Sequence, residues 1–340
     1  MTLLPEPKPI REVAGLDRRA FEADIRPAAQ PVVLRGIGAD WPAVQAARES
    51  VEKGVDYLLS FAISDPVPAV VGAPEIEGRF FYAPDYRRMN FERSPVPLRT
   101  FFERLLRDRY VERPYAMAVQ SLEISQAFPG FAATNRTLLL DPTVEPRIWM
   151  GNRIQVAPHF DLMENIGVVV LGRRRFTLFP PEQLPNMYVG PIEVTPAGTP
   201  VSMVDPHKPD LDRFPLYAEA AKHAQTAVLE PGDGIYIPYH WWHGVESLEG
   251  VNAFVNYWWN SAPADAGRPY DALMAALHTF RAMPEDQRKV WRMVFDNFVF
   301  ETNGNPVAHL PEHAPGVLGP VTPEKLKRMR ATLGQIFSGS

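Results

Sequence analysis

Apolar positions recur with two different periods along this chain, and the change of period divides it into three stretches. Near the start, LDRRAFEADI (16–25) reads as a short amphipathic helix and PVVLRGI (31–37) as a strand. DWPAVQAARES (40–50) follows as a second helix with Asp40 as its N-cap. FYAPDYRRMNF (81–91) reads as a strand passing into a loop. LRTFFERLLRDRY (98–110) sets Leu98, Phe101, Phe102, Leu105 and Leu106 on one helical face.

The middle of the chain is built differently. IWMGNRIQVAPHFD (148–161), IGVVVLG (166–172), RRRFTLFP (173–180), QTAVLEPGDGIYIP (225–238) and AFVNYWW (253–259) are short β-branched or aromatic runs parted by Gly and Pro. That spacing suits a barrel or sandwich, with PGDG as a turn between two of its strands. From Pro269 the spacing of three and four returns, in YDALMAALHTFRAM (270–283), PEDQRKVWRMVFDNFVF (284–300) and TPEKLKRMRATLGQIFSG (322–339). Pro284 and Pro323 suit helix starts. The expected fold is mainly β with α additions. Residues 1–265 should form the β-domain with its N-terminal α/β elements, and residues 266–340 a helical region that either braces it or makes a dimer contact.

Composition narrows the chemistry. The chain has 340 residues, 46% of them apolar, a net charge of −5 and no cysteine. Thiol nucleophiles, disulfides and cysteine-bound clusters are therefore excluded. The charge balance gives no electrostatic case for nucleic acid or an anionic membrane. No stretch approaches a membrane span and the N-terminus does not read as a signal peptide, so a cytoplasmic protein is expected. The 36 prolines are scattered, as many short elements and long loops require.

The chemical signal is His159-Phe160-Asp161 followed by His243 within IYIPYHWWHGVESL (235–248). In a strand, residues i and i+2 share a face, so His159 and Asp161 can meet one ion. Two histidines and a carboxylate are the ligand set of non-haem iron(II) oxygenases, although zinc accepts the same donors. In RRRFTLFP, alternation groups Arg174 with Phe176 and Leu178. If that apolar pair faces inward, Arg174 is an internal cation that needs an anion. A dicarboxylate such as 2-oxoglutarate, gripped at its distal end, is the natural partner.

These motifs (HFDLMEN, GRRRFTLFPPEQL, IYIPYHWWHGVESL and VNYWW) together resemble the cupin-like JmjC oxygenases over about residues 30–260, especially the branch of the asparaginyl hydroxylase that inhibits hypoxia-inducible factor. The resemblance implies a double-stranded β-helix, the cupin/JmjC jelly roll. It further implies iron(II) held by His159, Asp161 and His243, 2-oxoglutarate as cosubstrate, and dioxygen, with hydroxylation of a C–H bond. Arg174 matches a lysine that binds the cosubstrate tail. Asn165 and Asn256 match asparagines near the cosubstrate, and Trp258 shares the face of Asn256. Gln120 matches a glutamine on the substrate side. Val156 and Ala118 depart from the pattern by lacking hydroxyls that the relative carries.

A peptide or protein side chain, or an amino-acid-like molecule, is the expected substrate, and the related hydroxylase implies a homodimer through the C-terminal helices. The residues also admit a metal-dependent cupin enzyme independent of 2-oxoglutarate, or a non-catalytic cupin binding module. Elsewhere, Trp241 and Trp242 read as core, His240 as structural or at a pocket rim, Glu164 and His207 as solvated, and 201–220 as a lid or binding loop.

Overall fold

Strands with one apolar face must bury it, and this chain does so by stacking two sheets face to face. A computed structural model describes residues 4–338 apart from Val194, Ala197, Ala264 and Glu312, with only the backbone for residues 337 and 338. The strands are β1 (Lys8–Pro9), β2 (Arg11–Ala14), β3 (Val32–Arg35), β4 (Val67–Gly72), β5 (Arg79–Phe80), β6 (Glu92–Val96), β7 (Ala116–Glu123), β8 (Pro146–Gly151), β9 (Gln155–His159), β10 (Glu164–Leu171), β11 (Arg174–Phe179), β12 (Gln225–Leu229), β13 (Gly234–Ile237), β14 (Trp242–Ser247) and β15 (Asn252–Trp259). One sheet has the order β1-β12-β11-β14-β9-β5, the other β2-β3-β13-β10-β15-β8-β7-β4-β6. Val33, Val169, Phe176, Leu178, Ile235, Ile237 and Phe254 from both sheets fill the space between them. This is the expected jelly roll with helical additions.

The outer face of the larger sheet carries the main apolar cluster, where Ile148, Met150, Ile166, Val168 and Val255 meet the helices. Those helices are α2 (Pro42–Glu49), α3 (Val51–Leu59), α4 (Leu98–Asp108) and α5 (Ile124–Ala127), and the short α1 (Arg18–Ala20) has no buried residue. Leu98, Phe101, Phe102 and Leu105 of α4 are buried, as their spacing requires. Two local expectations fail. The N-cap of α2 is Trp41 rather than Asp40, because Pro42 occupies the first helical position and supplies the fixed φ that starts the helix. In 81–91 the backbone forms turns with a single bridge, Tyr82 to Met89, and the adjacent strand ends at Phe80.

The PGDG segment makes a type II turn. Pro231 and Gly232 are its central residues, Gly232 takes φ +97°, and the Asp233 amide donates to the Glu230 carbonyl at 2.9 Å. It carries the chain from β12 in one sheet to β13 in the other.

The segment from 201 to 220 is anchored. Val201 bridges to His159, the Ser202 amide donates to Pro158 O at 2.7 Å, and Val204 is buried with Phe160, Phe179 and Trp242. It ends in α6 (Tyr217–Ala221), whose Tyr217 and Ala220 join that cluster. Val201, Ser202 and Val204 are too deeply packed for this part of the segment to act as an open lid.

The chain divides into two compact units, residues 1–260 and 261–340. The second contains α7 (Pro269–Phe280), α8 (Glu285–Phe298) and α9 (Pro323–Ser338). Within it Phe280 packs against Trp291 and Phe295, with ring centroids 5.1 and 5.4 Å apart. Among the described residues of this unit only Val307 is buried.

Candidate metal and anion site

Three neighbouring strands deliver the site. His159 is the last residue of β9, and His243 lies opposite it on β14. Asp161 stands two residues past the end of β9, so strand alternation does not place it. Phe160 does. Its ring stacks on His240 at 4.0 Å and meets Trp242 edge-on, which fixes the one residue between the two candidate ligands. His240 takes φ +65°, an uncommon backbone for a non-glycine residue, and presents its ring to that stack.

One donor atom each from His159, Asp161 and His243 lies within 4.8 Å of the others, a separation that one ion can bridge. Both imidazoles are held in the same way. His159 Nδ1 is 2.9 Å from Ala157 O, and His243 Nδ1 is 3.0 Å from Trp241 O. A carbonyl only accepts, so each Nδ1 carries the proton and each Nε2 keeps its lone pair free for a ligand bond. Burial, then the neighbouring His243, pushes the His159 pKa well below the ordinary histidine value, against the pull of Asp161. The neutral imidazole is the form that ligates. His243 Nε2 and Asp161 Oδ2 are 3.6 Å apart.

A line of hydrogen bonds runs outward from the carboxylate. Asp161 Oδ2 accepts from Trp258 Nε1 at 2.9 Å and from Asn165 Nδ2 at 3.3 Å. Asn165 Oδ1 accepts from Asn256 Nδ2 at 3.1 Å, and Asn256 Oδ1 accepts from Trp149 Nε1 at 2.8 Å. Trp149 meets Trp258 edge-on at 5.7 Å. Asn165, Asn256 and Trp258 therefore converge with the triad, and Trp149 joins them. Its place inside the barrel follows from alternation along β8, between the outward Ile148 and Met150.

Arg174 opens β11 and is 5% exposed, with Phe176 and Leu178 buried on the same face and Arg173 and Arg175 turned outward to Glu249 and Glu246. Its guanidinium lies 4.8 Å from the Phe254 ring centre, and Nη2 donates to Trp149 O at 3.3 Å. Nε has no partner, and no carboxylate lies within 4.0 Å among the described residues. Burial alone lowers its pKa. A guanidinium keeps its proton in proteins, so the cation stays and an anion is wanted. Phe254 has room because Gly167 faces it. A Cβ at that glycine would stand 1.9 Å from the ring.

Gln120 lies in the bulge of β7, two strands from β15, beside Ser121 at φ +55°. No hydrogen bond joins it to the group above among the described residues. Val156 pairs with Val245 on β14, and Ala118 packs with Phe80 and Ile154. Trp241 and Trp242 are core, as expected.

One expectation of solvation fails. Glu164 is gripped by Arg26 at 2.7 Å and by the Tyr236 hydroxyl at 2.8 Å, a clasp between elements distant in sequence. His207 is exposed, as expected, yet its Nε2 lies 3.1 Å from Glu246 Oε1, which pins the 201–220 segment to β14.

Comparison with known proteins agrees with this architecture. Residues 18–265 match a family model described as a cupin-like domain. The chain is 26% identical to tRNA wybutosine-synthesizing protein 5 of Gallus gallus over an alignment of 318 positions that covers 82% of this chain and 91% of that protein. To HSPB1-associated protein 1 of Homo sapiens it is 38% identical over 118 residues, 34% of this chain and 23% of that one. The human tRNA wybutosine-synthesizing protein 5 is 31% identical over an alignment of 157 positions that covers 42% of this chain and 47% of the relative.

Proposed function

Because the chain belongs to the cupin-like domain family, we propose that it is an iron(II)- and 2-oxoglutarate-dependent oxygenase that hydroxylates a C–H bond. His159, Asp161 and His243 would hold the ion, whose part is to bring dioxygen and the 2-oxo acid to reaction. Arg174 binds the distal carboxylate of the cosubstrate. Asn165, Asn256 and Trp258 orient Asp161 and the cosubstrate, with Trp258 and Gln120 on the substrate side. The observation that carries the reading is the buried guanidinium of Arg174, without a counter-ion, on the inner face that also receives His243. A metal enzyme that used no diacid would have no reason to bury an unpaired cation there. The likeness to the asparaginyl hydroxylase branch supports the same assignment.

The substrate is a peptide or protein side chain or an amino-acid-like molecule. One relative's name links it to tRNA, but the net charge of −5 and the lack of a long Lys/Arg run favour a substrate other than nucleic acid here. No helix among the described residues is long and apolar enough to cross a membrane, and we assign the protein to the cytoplasm. Anaerobic titration of the iron(II) protein with 2-oxoglutarate tests the class. A weak visible charge-transfer band should appear, and it should fade in Asp161→Ala and need far more cosubstrate in Arg174→Ala. Bound iron with no band would instead favour a cupin enzyme that does not use 2-oxoglutarate.

A further inference from the structure

Ser247, like Arg174, carries a buried polar atom on the inner face that has no partner. It is 5% exposed, and its Oγ has no hydrogen-bond partner. Its backbone N–H is occupied by Ile154 O at 2.9 Å, so the spare group is the hydroxyl alone. In the pairing of β11 with β14, three alternate rungs bring Leu178 opposite His243, Phe176 opposite Val245 and Arg174 opposite Ser247. Residues directly opposite in an antiparallel pair share a face, with Cβ atoms about 5 Å apart. Ser247 therefore points inward beside Arg174, whose Nε is the other orphan.

Two unpaired donors on adjacent strands that do not bond each other leave a place for a third group. A buried hydroxyl and a buried guanidinium nitrogen each cost free energy when unpaired, and one carboxylate satisfies both. Four residue steps along β14 lead from His243 to Ser247, on the order of 13 Å. An imidazole, an ion and a five-carbon diacid together span such a distance. We infer that Ser247 Oγ donates a hydrogen bond to the distal carboxylate of the cosubstrate, jointly with Arg174. This rests on the 2-oxoglutarate reading and deepens it. It also supplies a hydroxyl to a pocket in which Val156 and Ala118 bring none.

The test is calorimetric binding of 2-oxoglutarate to the anaerobic iron(II) protein, in wild type, Ser247→Ala, Ser247→Thr and Arg174→Met, with melting curves for each. Loss of a hydrogen bond to a charged group should weaken Ser247→Ala by about 10-fold or more. Ser247→Thr should stay within about 3-fold of wild type, because the hydroxyl is kept. At saturation the charge-transfer band of Ser247→Ala should be unmoved, since only the distal end is altered. Wild-type affinity in Ser247→Ala, with Arg174→Met weakened, would overturn the role of Ser247 and leave the cosubstrate reading standing. A lower melting temperature with unchanged affinity would mark the serine as structural. Failure of wild type to bind, or of Arg174→Met to weaken binding, would overturn the cosubstrate reading and this inference with it.

Discussion

At the scale of single residues, the site depends on which atom of each side chain is already spoken for. Trp258 shows this most directly, because its indole N–H has one acceptor, Asp161 Oδ2. Trp258→Phe keeps a ring against Trp149 and removes only that donor. Groups that orient a metal ligand contribute roughly 10- to 100-fold to metal affinity. Iron(II) binding measured by equilibrium dialysis should weaken by about that factor, with little change in melting temperature; unaltered affinity would show that Asn165 alone holds the carboxylate. His159, Asp161, His243 and Arg174 were legible because each sits in a patterned run with a chemical reason to be there. Trp149 was hidden by the same pattern, since an aromatic in a strand reads as core. Glu164 was misread because its partners, Arg26 and Tyr236, lie 138 and 72 residues away.

At the scale of elements, the segment from 201 to 220 is tied to the outer face of the smaller sheet by charge as well as by packing. Glu246 on β14 accepts from Arg175 at 2.9 Å and meets His207, while Asp205 lies 3.7 Å from Arg79. The hydrogen bond to Glu246 raises the His207 pKa above its usual value. Burial would raise Glu246, yet His207 and then Arg175 bring it below the usual carboxylate range. The raised histidine contributes stability fully below its unfolded value of about 6.5, and loses it as pH climbs through the folded pKa. The depressed glutamate contributes above its unfolded value of about 4.3 and loses that as pH falls. The clasp is thus tightest near pH 5 to 6. Amide hydrogen exchange in 205–210, corrected for intrinsic rate, should be faster at pH 9 than at pH 6 in wild type. In His207→Ala it should be equally fast at both; a pH difference that survives there would place the effect elsewhere. The strands of the β-domain could be read because β-branched and aromatic runs were cleanly parted by Gly and Pro. The anchoring of 201–220 could not, since Val201, Ser202 and Val204 make their contacts with residues remote in the chain.

For the molecule as a whole, residues 261–340 pose a question that the β-domain does not. A compact unit of this length normally buries a core of its own. Here Trp291, Met293, Phe300, Leu333 and Ile336 are all exposed. We propose that a second copy of the chain covers them, a homodimer through the C-terminal helices. Light scattering should give twice the 38.2 kDa chain mass, and Trp291→Glu with Leu333→Glu should return it to one chain. A full-length protein already monomeric would reject the idea. The helical spacing of the tail was plain in the sequence, but spacing tells which side of a helix is apolar and not what will lie against it. The two imidazoles carry a further consequence, which concerns preparedness. Each is oriented by a carbonyl two residues back on its own chain segment, Ala157 for His159 and Trp241 for His243. Backbone that belongs to the sheet and its flanking turn thus sets which ring nitrogen of each histidine is left open. An ion at the proposed site would meet two donors already aimed at it.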